Sequence, residues 1–468
     1  MKKIVFFILS LALLSACKQK INEFNADKGS ADFTKYVSIG NSLTAGYADG
    51  ALYKSGQENS YPNILAKQFT TVGGGAFIQP LIETEDGIGI NSDNPLLPQP
   101  FIPKMVLKIL PDMDCGGTPI PGSYSLKPDI LTHTVDQAAY GAILAARPVA
   151  AGPYNNMGVP GAKLQHLFFP GYGSAFGNPF FARFATSQTT SVIADAAVQQ
   201  PTFFSLWIGN NDVLLSAIAG NALTVTPVDT FAKYYPMAVG AMLASGKQPK
   251  GIVATIPDVT TIPFFTTISQ QLPYNGVILD STQASGLNQL YGLYGHTEII
   301  WHKGANPFVI AREDGQWVQM GPSDLFLLTL PTDSLKCRGM GIADTTVHPI
   351  PKPYPIPGKF VLDASEQAII QGHVDAFNVI IKQTATIKGL AVADMNQVLK
   401  SFASGMVFDG IKFNASFITG GLFSTDGIHL NPRGNATAAN FFIQAINAKY
   451  GSTIPQVSVT DYHGLIFP

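Results

Sequence analysis

Ser42 is the first side chain in the sequence whose setting suits nucleophilic chemistry. The apolar run at residues 36–40 predicts a buried strand, and residues 43–53 predict a helix that begins directly after it. A serine at such a turn lies at the carboxyl edge of an open α/β sheet, where the helix amides and the helix dipole favour an alkoxide. The alternative is a serine that only caps the helix and carries no chemistry.

Asp426 and His429 stand three residues apart, just before an amphipathic helix predicted at residues 435–450. A serine nucleophile needs a base that takes its proton, and the base needs a carboxylate that orients it. His429 and Asp426 offer these two groups, so the sequence predicts a Ser-His-Asp triad. His166 and His373 are the alternative bases if His429 is not the base.

Two further segments offer hydrogen-bond donors for a negatively charged reaction intermediate. Residues 156–161 predict a glycine-containing loop whose bare backbone suits close approach to a reacting carbonyl. Residues 209–212, Gly-Asn-Asn-Asp, end a predicted strand and offer a side-chain amide to the same edge of the sheet. Groups of both kinds are used in oxyanion holes.

Together these blocks resemble the signature of the SGNH hydrolases, which are also called GDSL lipases and esterases. The blocks occur in the family's order and extend over most of the chain, as Gly40-Asn41-Ser42-Leu43, Gly158, Gly209-Asn210-Asn211-Asp212 and Asp426-Gly427-Ile428-His429. The resemblance implies a flavodoxin-like three-layer α/β/α sandwich with a mostly parallel sheet. Asn41 departs from the family pattern, which usually has Asp there, and this puts the geometry of the first turn in question.

The resemblance also assigns roles to individual residues. Ser42 is implied as the nucleophile, His429 as the general base and then the general acid, and Asp426 as the group that orients the imidazole. The implied oxyanion hole consists of the Ser42 N–H, the Gly158 N–H and the Asn211 side-chain amide. The expected activity is hydrolysis of carboxylic esters through an acyl-enzyme on Ser42, with no metal ion and no cofactor.

Composition and element order favour an α/β enzyme over a nucleic-acid binder. Charged residues make up 13% of the chain and the formal net charge is −2, whereas nucleic-acid-binding domains are usually strongly basic. Short apolar strands alternate with amphipathic helices, which indicates an α/β fold. The strands are predicted at 36–40, 203–209, 251–258 and 389–394, and the helices at 43–53, 187–200, 228–245, 364–388 and 435–450.

Two long segments interrupt this alternation. Residues 73–131 and 260–359 are rich in proline and glycine, and we interpret them as irregular insertions into a single domain at 36–468. Cys115 lies in the first insertion and Cys337 in the second. The two cysteines either form a disulfide that ties the insertions together or remain separate thiols, since sequence alone does not supply their Cα separation.

Residues 1–17 resemble a bacterial lipoprotein signal peptide. A short basic start and an apolar run too short to span a bilayer lead to Leu-Ser-Ala-Cys at residues 14–17. The resemblance implies that Cys17 becomes the lipid-bearing N-terminus and that residues 18–35 tether the domain. The alternative is an ordinary signal peptide that contains a cysteine. We therefore expect an exported protein that its lipid anchors to the outer membrane, with the periplasmic face favoured over the cell surface.

The substrate is less well defined than the chemistry. Aromatic residues at 168–184 predict either an apolar wall over the site, which would favour acyl-chain or lipid esters, or ordinary core packing. A lipase or carboxylesterase is the favoured interpretation. An acetylesterase for polysaccharide or cell-wall glycan and a non-catalytic binding lipoprotein are the alternatives. The sequence indicates no oligomeric state.

Other candidate sites are weaker. His296 and His302 bracket Glu298, but their spacing differs from that of a zinc site on a helix. Residues 73–75 are three glycines that predict a turn rather than a phosphate-binding loop. Asp258 ends a predicted strand, where capping of a turn is more common than a place in an active site.

Replacement of Cys17 tests the expected anchor. The Cys17→Ser protein should leave the membrane fraction, because lipid on this residue, rather than a transmembrane span, is expected to hold the protein. Cell fractionation with immunodetection measures this, and the Cys115→Ser protein, which should stay in the membrane fraction, is the control. Persistent membrane association of a correctly processed Cys17→Ser protein would show that another anchor exists.

Overall fold

The computed structural model describes residues 25–90, 101–174, 176–246, 248–271 and 276–468. The signal segment and Cys17 lie outside the described residues. Residues 25–35 belong to the predicted tether, yet they lie against the fold: the Ser30 N–H donates to the Tyr450 carbonyl at 2.9 Å, and Phe33 is buried in the main core.

A parallel β-sheet forms the centre of the fold. Within the described residues it has five strands: β1 (Tyr36–Gly40), β2 (Asn156–Gly158), β3 (Phe203–Trp207), β4 (Lys250–Ala254) and β5 (Ala391–Ala393). Their order across the sheet is β5-β4-β3-β1-β2, and adjacent strands run parallel. Val37, Ile39 and Leu206 are fully buried, because helices cover both faces of a sheet of this kind.

Helices pack on the two faces of the sheet. The helices that matter for the sandwich and the site are α1 (Ser42–Ala45), α2 (Tyr61–Phe69), α3 (Val192–Ala197), α4 (Asn210–Ile218), α5 (Val228–Leu243), α6 (Ala364–Lys388), α7 (Met395–Phe402) and α8 (Pro432–Tyr450). Helix α2 packs against α8 on one face, whereas α3 and α6 pack against α5 on the other. The predicted three-layer α/β/α fold is confirmed. None of the described helices is long and apolar enough to cross a bilayer.

The segment after β1 corrects one predicted helix. Helix α1 ends at Ala45, because Gly46 adopts a left-handed conformation with φ of 80°, so no helix extends over the predicted residues 43–53. The chain turns back on itself at residues 48–51, and a short helix, Lys54–Glu58, follows.

Both insertions carry regular structure of their own. The first contains an antiparallel hairpin of Met105–Met113 with Pro119–Ile130. The second contains the helices Pro263–Gln271, Ser281–Leu293 and Thr332–Arg338, together with the short strands Gly276–Leu279, Gly304–Pro307, Val309–Ala311, Trp317–Gln319, Leu325–Phe326, Ile342–Asp344, Lys352–Tyr354 and Ile356–Pro357, and the strand Val361–Leu362 follows it. Ile310, Phe326 and Ile356 belong to a separate apolar cluster, so the second insertion is stabilised by a small core of its own.

Shorter elements complete the described structure. They are the helices Gln137–Ala145 and Pro179–Ala182, the strand pair Gly89–Ile90 with Phe101–Ile102, and the hairpin Met406–Phe408 with Ile411–Phe413. The hairpin at 406–413 follows α7 directly and turns at Asp409 and Gly410, which both have positive φ.

Cys115 and Cys337 form a disulfide. Cys115 lies in the turn of the hairpin of the first insertion, and Cys337 lies in the helix Thr332–Arg338. Their Cα atoms are 5.1 Å apart, although 222 positions separate the two residues in the sequence. The bridge therefore joins the two insertions to each other.

Thiol titration tests this bridge. The mature protein, denatured without reductant, should show no free thiol, and reduction should release two, because Cys115 and Cys337 are the cysteines that remain after Cys17. A closed loop of this length raises the free energy of unfolding by about 5 kcal/mol in the chain-entropy model. Cys115→Ser and Cys337→Ser should each lower the denaturation midpoint, and the double variant should lower it no further. Two free thiols before reduction would rule out the bridge.

Candidate functional site

Ser42 is the first residue of α1, and Asn41 alone separates it from the end of β1. The side chain of Asn41 caps this helix: its Oδ1 accepts the Leu43 N–H at 3.1 Å. Asn41 can therefore cap the helix as an aspartate would, and the Ser42 hydroxyl is not needed for capping. Gly40 is required before this turn, because a Cβ there would collide with Thr44 and with the backbone of Trp207.

A continuous chain of hydrogen bonds runs from Ser42 through His429 to Asp426. Ser42 Oγ lies 2.9 Å from His429 Nε2, and His429 Nδ1 lies 2.8 Å from Asp426 Oδ2. Ser42 and His429 are separated by 387 positions in the sequence. The Ser42 residue is 7% exposed, so the group is shielded but still reachable from the neighbouring cavity.

The Asp426 carboxylate is held by several donors besides His429. Its Oδ1 accepts the N–H groups of Ile428 and His429 at 2.9 Å and the Ser424 hydroxyl at 2.8 Å, while Oδ2 accepts the Gly50 N–H at 2.9 Å. Burial alone would raise the pKa of Asp426, but the charge and hydrogen bond of His429 and the backbone donors lower it well below the ordinary range. Asp426 therefore remains ionised at neutral pH and can accept the imidazole N–H.

Asn211 and Asp212, at the start of α4, form hydrogen bonds to the segment that follows β2. Asn211 Nδ2 donates to the Ala162 carbonyl at 3.0 Å, and Asp212 Oδ2 accepts the Leu164 N–H at 2.9 Å. Burial raises the pKa of Asp212 to about 6. An amide nitrogen carries two hydrogens, so Asn211, which lines the same cavity as Ser42, has a second N–H to offer.

Gly158 does not fit the predicted oxyanion hole. It belongs to β2, and its N–H donates to Asn156 Oδ1 at 3.0 Å. A Cβ at this position would collide with the backbone of α1 at Ala45, so the glycine allows β2 and α1 to lie in close contact. The structure corrects the assignment of the Gly158 N–H, because that N–H is already bonded.

An apolar cavity that is partly open to solvent lies beside Ser42 and His429. Its apolar lining includes Leu43, Trp207, Leu214, Pro257, Val259, Ile262, Met395, Val398, Leu399, Phe402, Leu422, Phe423, Ile428, Leu430 and Ala438. Much of this wall comes from α7, which stands at the carboxyl end of β5. Helix α7 was not among the predicted helices, although its apolar residues recur on one face at helical spacing after a short apolar strand, and this pattern could have identified it.

The aromatic residues at 168–184 do not form the wall that one of the two sequence interpretations expected. Of the described residues in that range, none lines the cavity. Phe181 and Phe184 are buried in the main core, and Phe180 packs edge-on against Tyr47. Phe169 and Phe176 are exposed, whereas the buried aromatics of the segment contribute core packing, which was the other interpretation.

The alternative bases have partners elsewhere. His166 Nδ1 accepts the Lys163 N–H at 3.2 Å, and burial lowers the pKa of this histidine. His373 lies on the exposed side of α6, with Nδ1 2.8 Å from the Ile369 carbonyl. Of the described histidines, the one whose imidazole meets Ser42 is His429.

The other candidate sites have structural explanations. His296 pairs with Glu298 at 3.0 Å and stacks on Trp317. Asp258 accepts the Thr260 N–H and so caps a short 3₁₀ turn, and the glycines at 73–75 follow the end of α2 in a turn. Within the described residues, no group of three or more His, Cys, Asp or Glu side chains is arranged to hold a metal ion.

Comparison with known proteins adds little to this geometry. No family model matches the chain, and no curated protein matches it. A solved structure of a lipase/acylhydrolase from Enterococcus faecalis aligns with 68% of this chain and 84% of its own, at 11% identity and a TM-score of 0.26. A likeness at this level decides nothing about activity.

Labelling with a fluorophosphonate, which reacts with activated serine hydroxyls, tests whether His429 activates Ser42. Ser42→Ala should abolish labelling, and His429→Ala should slow it at least about a hundredfold, the scale of base catalysis. Asp426→Asn should slow it less than His429→Ala, because Asp426 orients the ring but takes no proton.

The His373→Ala protein is the control and should label at the wild-type rate, since this imidazole lies on the surface of α6. Equal losses for Asp426→Asn and His429→Ala would give the carboxylate a larger role than orientation. Unchanged labelling of both would place the base elsewhere.

Proposed function

We propose that the chain is a serine hydrolase that cleaves carboxylic esters through an acyl-enzyme on Ser42. The observation that carries the proposal is the hydrogen-bond chain from Ser42 through His429 to Asp426 at the rim of an apolar cavity. A serine hydroxyl, an imidazole and an ionised carboxylate in this order are the parts that acyl transfer requires. A protein that only binds its ligand has no chemical need for this arrangement.

In the proposed reaction, Ser42 Oγ attacks the ester carbonyl carbon while His429 Nε2 takes the hydroxyl proton. The tetrahedral intermediate collapses, the bond to the alcohol oxygen breaks, and His429 returns the proton to that oxygen. Water then attacks the acyl-enzyme with the same proton relay, so that the acid leaves and Ser42 recovers its proton. Asp426 stabilises the imidazolium in both steps, because its carboxylate accepts the Nδ1 hydrogen.

The oxyanion would be stabilised by the Ser42 N–H and the second N–H of the Asn211 amide. The Ser42 N–H is available because the first amides of a helix have no acceptor within that helix. Gly161 replaces Gly158 as the third donor in this proposal. It has φ of 78° in the turn directly before Ala162, whose carbonyl Asn211 binds.

The cavity favours an ester with an apolar acyl chain. Its walls beside Ser42 are aliphatic and aromatic, and each buried methylene of a ligand contributes about 0.8 kcal/mol. A sugar ester would instead need polar side chains that satisfy its hydroxyl groups. We therefore favour a lipase or carboxylesterase over an acetylesterase for glycans. A lipid on Cys17 would hold this activity at a bacterial membrane, on the periplasmic face of the outer membrane in our proposal.

A series of p-nitrophenyl esters, assayed with the protein lacking residues 1–17, tests the function and the acyl preference together. The kcat/KM for the octanoate should exceed that for the acetate at least about tenfold, because the added methylenes enter the cavity. Leu399→Trp fills part of the α7 wall and should remove this preference while acetate turnover stays within about twofold.

Leu293→Trp is the matched control, since Leu293 is 77% exposed and lies in the second insertion. Ser42→Ala should be inactive on every ester in the series. An acetate preference in the wild type would favour the acetylesterase, and retained turnover by Ser42→Ala would contradict the proposed function altogether.

A further inference from the structure

A tight turn at residues 48–51 lies beside the Asp426 carboxylate. Ala48 and Ala51 pair in antiparallel fashion, with N–H to carbonyl distances of 3.1 and 2.9 Å. Asp49 and Gly50 between them have φ of 55° and 73°. Positive φ at both central residues is the mark of a type I′ turn, for which Asp-Gly is a favoured pair. We call residues 48–51 the Asp49 turn.

Hydrogen bonds from the Asp49 turn reach three successive residues of the loop that carries the triad carboxylate. The Asp49 N–H donates to Ser424 Oγ at 3.0 Å, and the Gly50 N–H donates to Asp426 Oδ2 at 2.9 Å. In the opposite direction, Asp49 Oδ1 accepts the Thr425 N–H at 2.9 Å and the Thr425 hydroxyl at 2.7 Å. The turn and the loop are therefore joined by donors and acceptors on both sides.

The Asp49 turn is itself fixed from the other side. The Tyr53 hydroxyl donates to Asp49 Oδ2 at 2.6 Å, and the Met105 N–H, at the base of the hairpin of the first insertion, donates to the Asp49 carbonyl at 2.8 Å. Both carboxylate oxygens of Asp49 are thus engaged, one with the loop and one with the chain that follows the turn. The Asp49 turn is therefore held by Tyr53 and Met105, which lie outside the loop at 424–426, and it can hold that loop in place.

We propose that Asp49 is a positioning residue, which holds the 424–426 loop so that Asp426 and His429 meet Ser42. This inference rests on the proposed function of the triad. Asp426 and His429 lie outside regular secondary structure, whereas a catalytic group must be held within about 0.5 Å of its working position. Displacement of such a group by about 1 Å can cost a factor of about a hundred in rate.

Asp49→Gly removes the side chain and tolerates positive φ, so it leaves the turn in place and deletes the bonds to Thr425 and Tyr53. On p-nitrophenyl octanoate, kcat should fall by about tenfold to a hundredfold. KM should stay within about twofold, because Asp49 is not among the residues that line the acyl cavity. The rates are normalised to the fraction of protein labelled by the fluorophosphonate at saturation, which removes losses due to unfolding.

Asp409→Gly is the matched control. Asp409 and Gly410 have φ of 49° and 78° in the turn of the hairpin at 406–413, and Asp409 Oδ2 accepts the Val459 N–H at 2.8 Å. The turn is of the same kind and stays in place, and a bond from the aspartate side chain to a backbone N–H is lost, but on a segment other than the triad loop. Asp409→Gly should therefore keep kcat within about twofold of the wild type after the same normalisation.

Two further variants separate positioning from general destabilisation. Asp49→Asn keeps an acceptor oxygen and tolerates positive φ, so it should bring kcat back to within about fivefold of the wild type. Thr425→Val removes one of the two bonds and should lower kcat by about fivefold at unchanged KM, and it carries the test if Asp49→Gly does not fold.

The outcomes distinguish this inference from the proposed function. If Ser42→Ala is inactive and the normalised kcat of Asp49→Gly matches that of Asp409→Gly, Asp49 positions nothing and the triad stands. If kcat falls in Asp49→Gly and recovers in Asp49→Asn, the positioning role is supported. If Ser42→Ala remains active, the proposed function itself fails.

Discussion

The contact between Ser42 Oγ and His429 Nε2 joins segments that are 387 positions apart in the sequence, and it depends on the packing of the whole sandwich. Ser42 follows β1 near the middle of the sheet order, while His429 precedes α8. Asn435 of α8 accepts the backbone N–H of Tyr61 in α2 at 3.1 Å, which locks these helices together on one face. Because the carboxyl ends of parallel strands lie at one edge, the hydroxyl after β1 and the imidazole on the loop before α8 can meet there.

The predictions that succeeded depend on local patterns. Strands β1, β3, β4 and β5 appear as apolar runs bounded by turn residues, and α6 was predicted with its observed bounds at 364–388. The candidate triad could be named because a serine, a histidine and an aspartate each stand next to a recognisable helix start, and the structure brings the three side chains together. Their catalytic role remains a prediction that only activity can test.

The predictions that failed depend on where a backbone N–H points or on contacts between segments that are distant in the sequence. The Gly158 N–H donates to the side chain of Asn156, which in turn donates to the Thr44 carbonyl and to Gln79. Three residues of sequence cannot reveal these contacts. Helix α1 was predicted too long. A glycine such as Gly46 can lie within a helix or end it, and the sequence alone does not show which. Whether the aromatics at 168–184 form a wall over the site or pack in the core was left open, since nothing local indicates which amphipathic segment will stand over the sheet edge.

The triad and the cavity wall lie on different segments of the chain, and this separation has a consequence for how the substrate range can change in evolution. The groups proposed to move protons lie on α1 and on the loop before α8, whereas much of the wall that would meet the acyl chain lies on α7. These segments are encoded far apart, and α7 is a single short helix. On the proposed function, mutations in α7 would alter which ester is accepted while the proton relay is preserved, so drift in substrate range would not need to pass through an inactive intermediate.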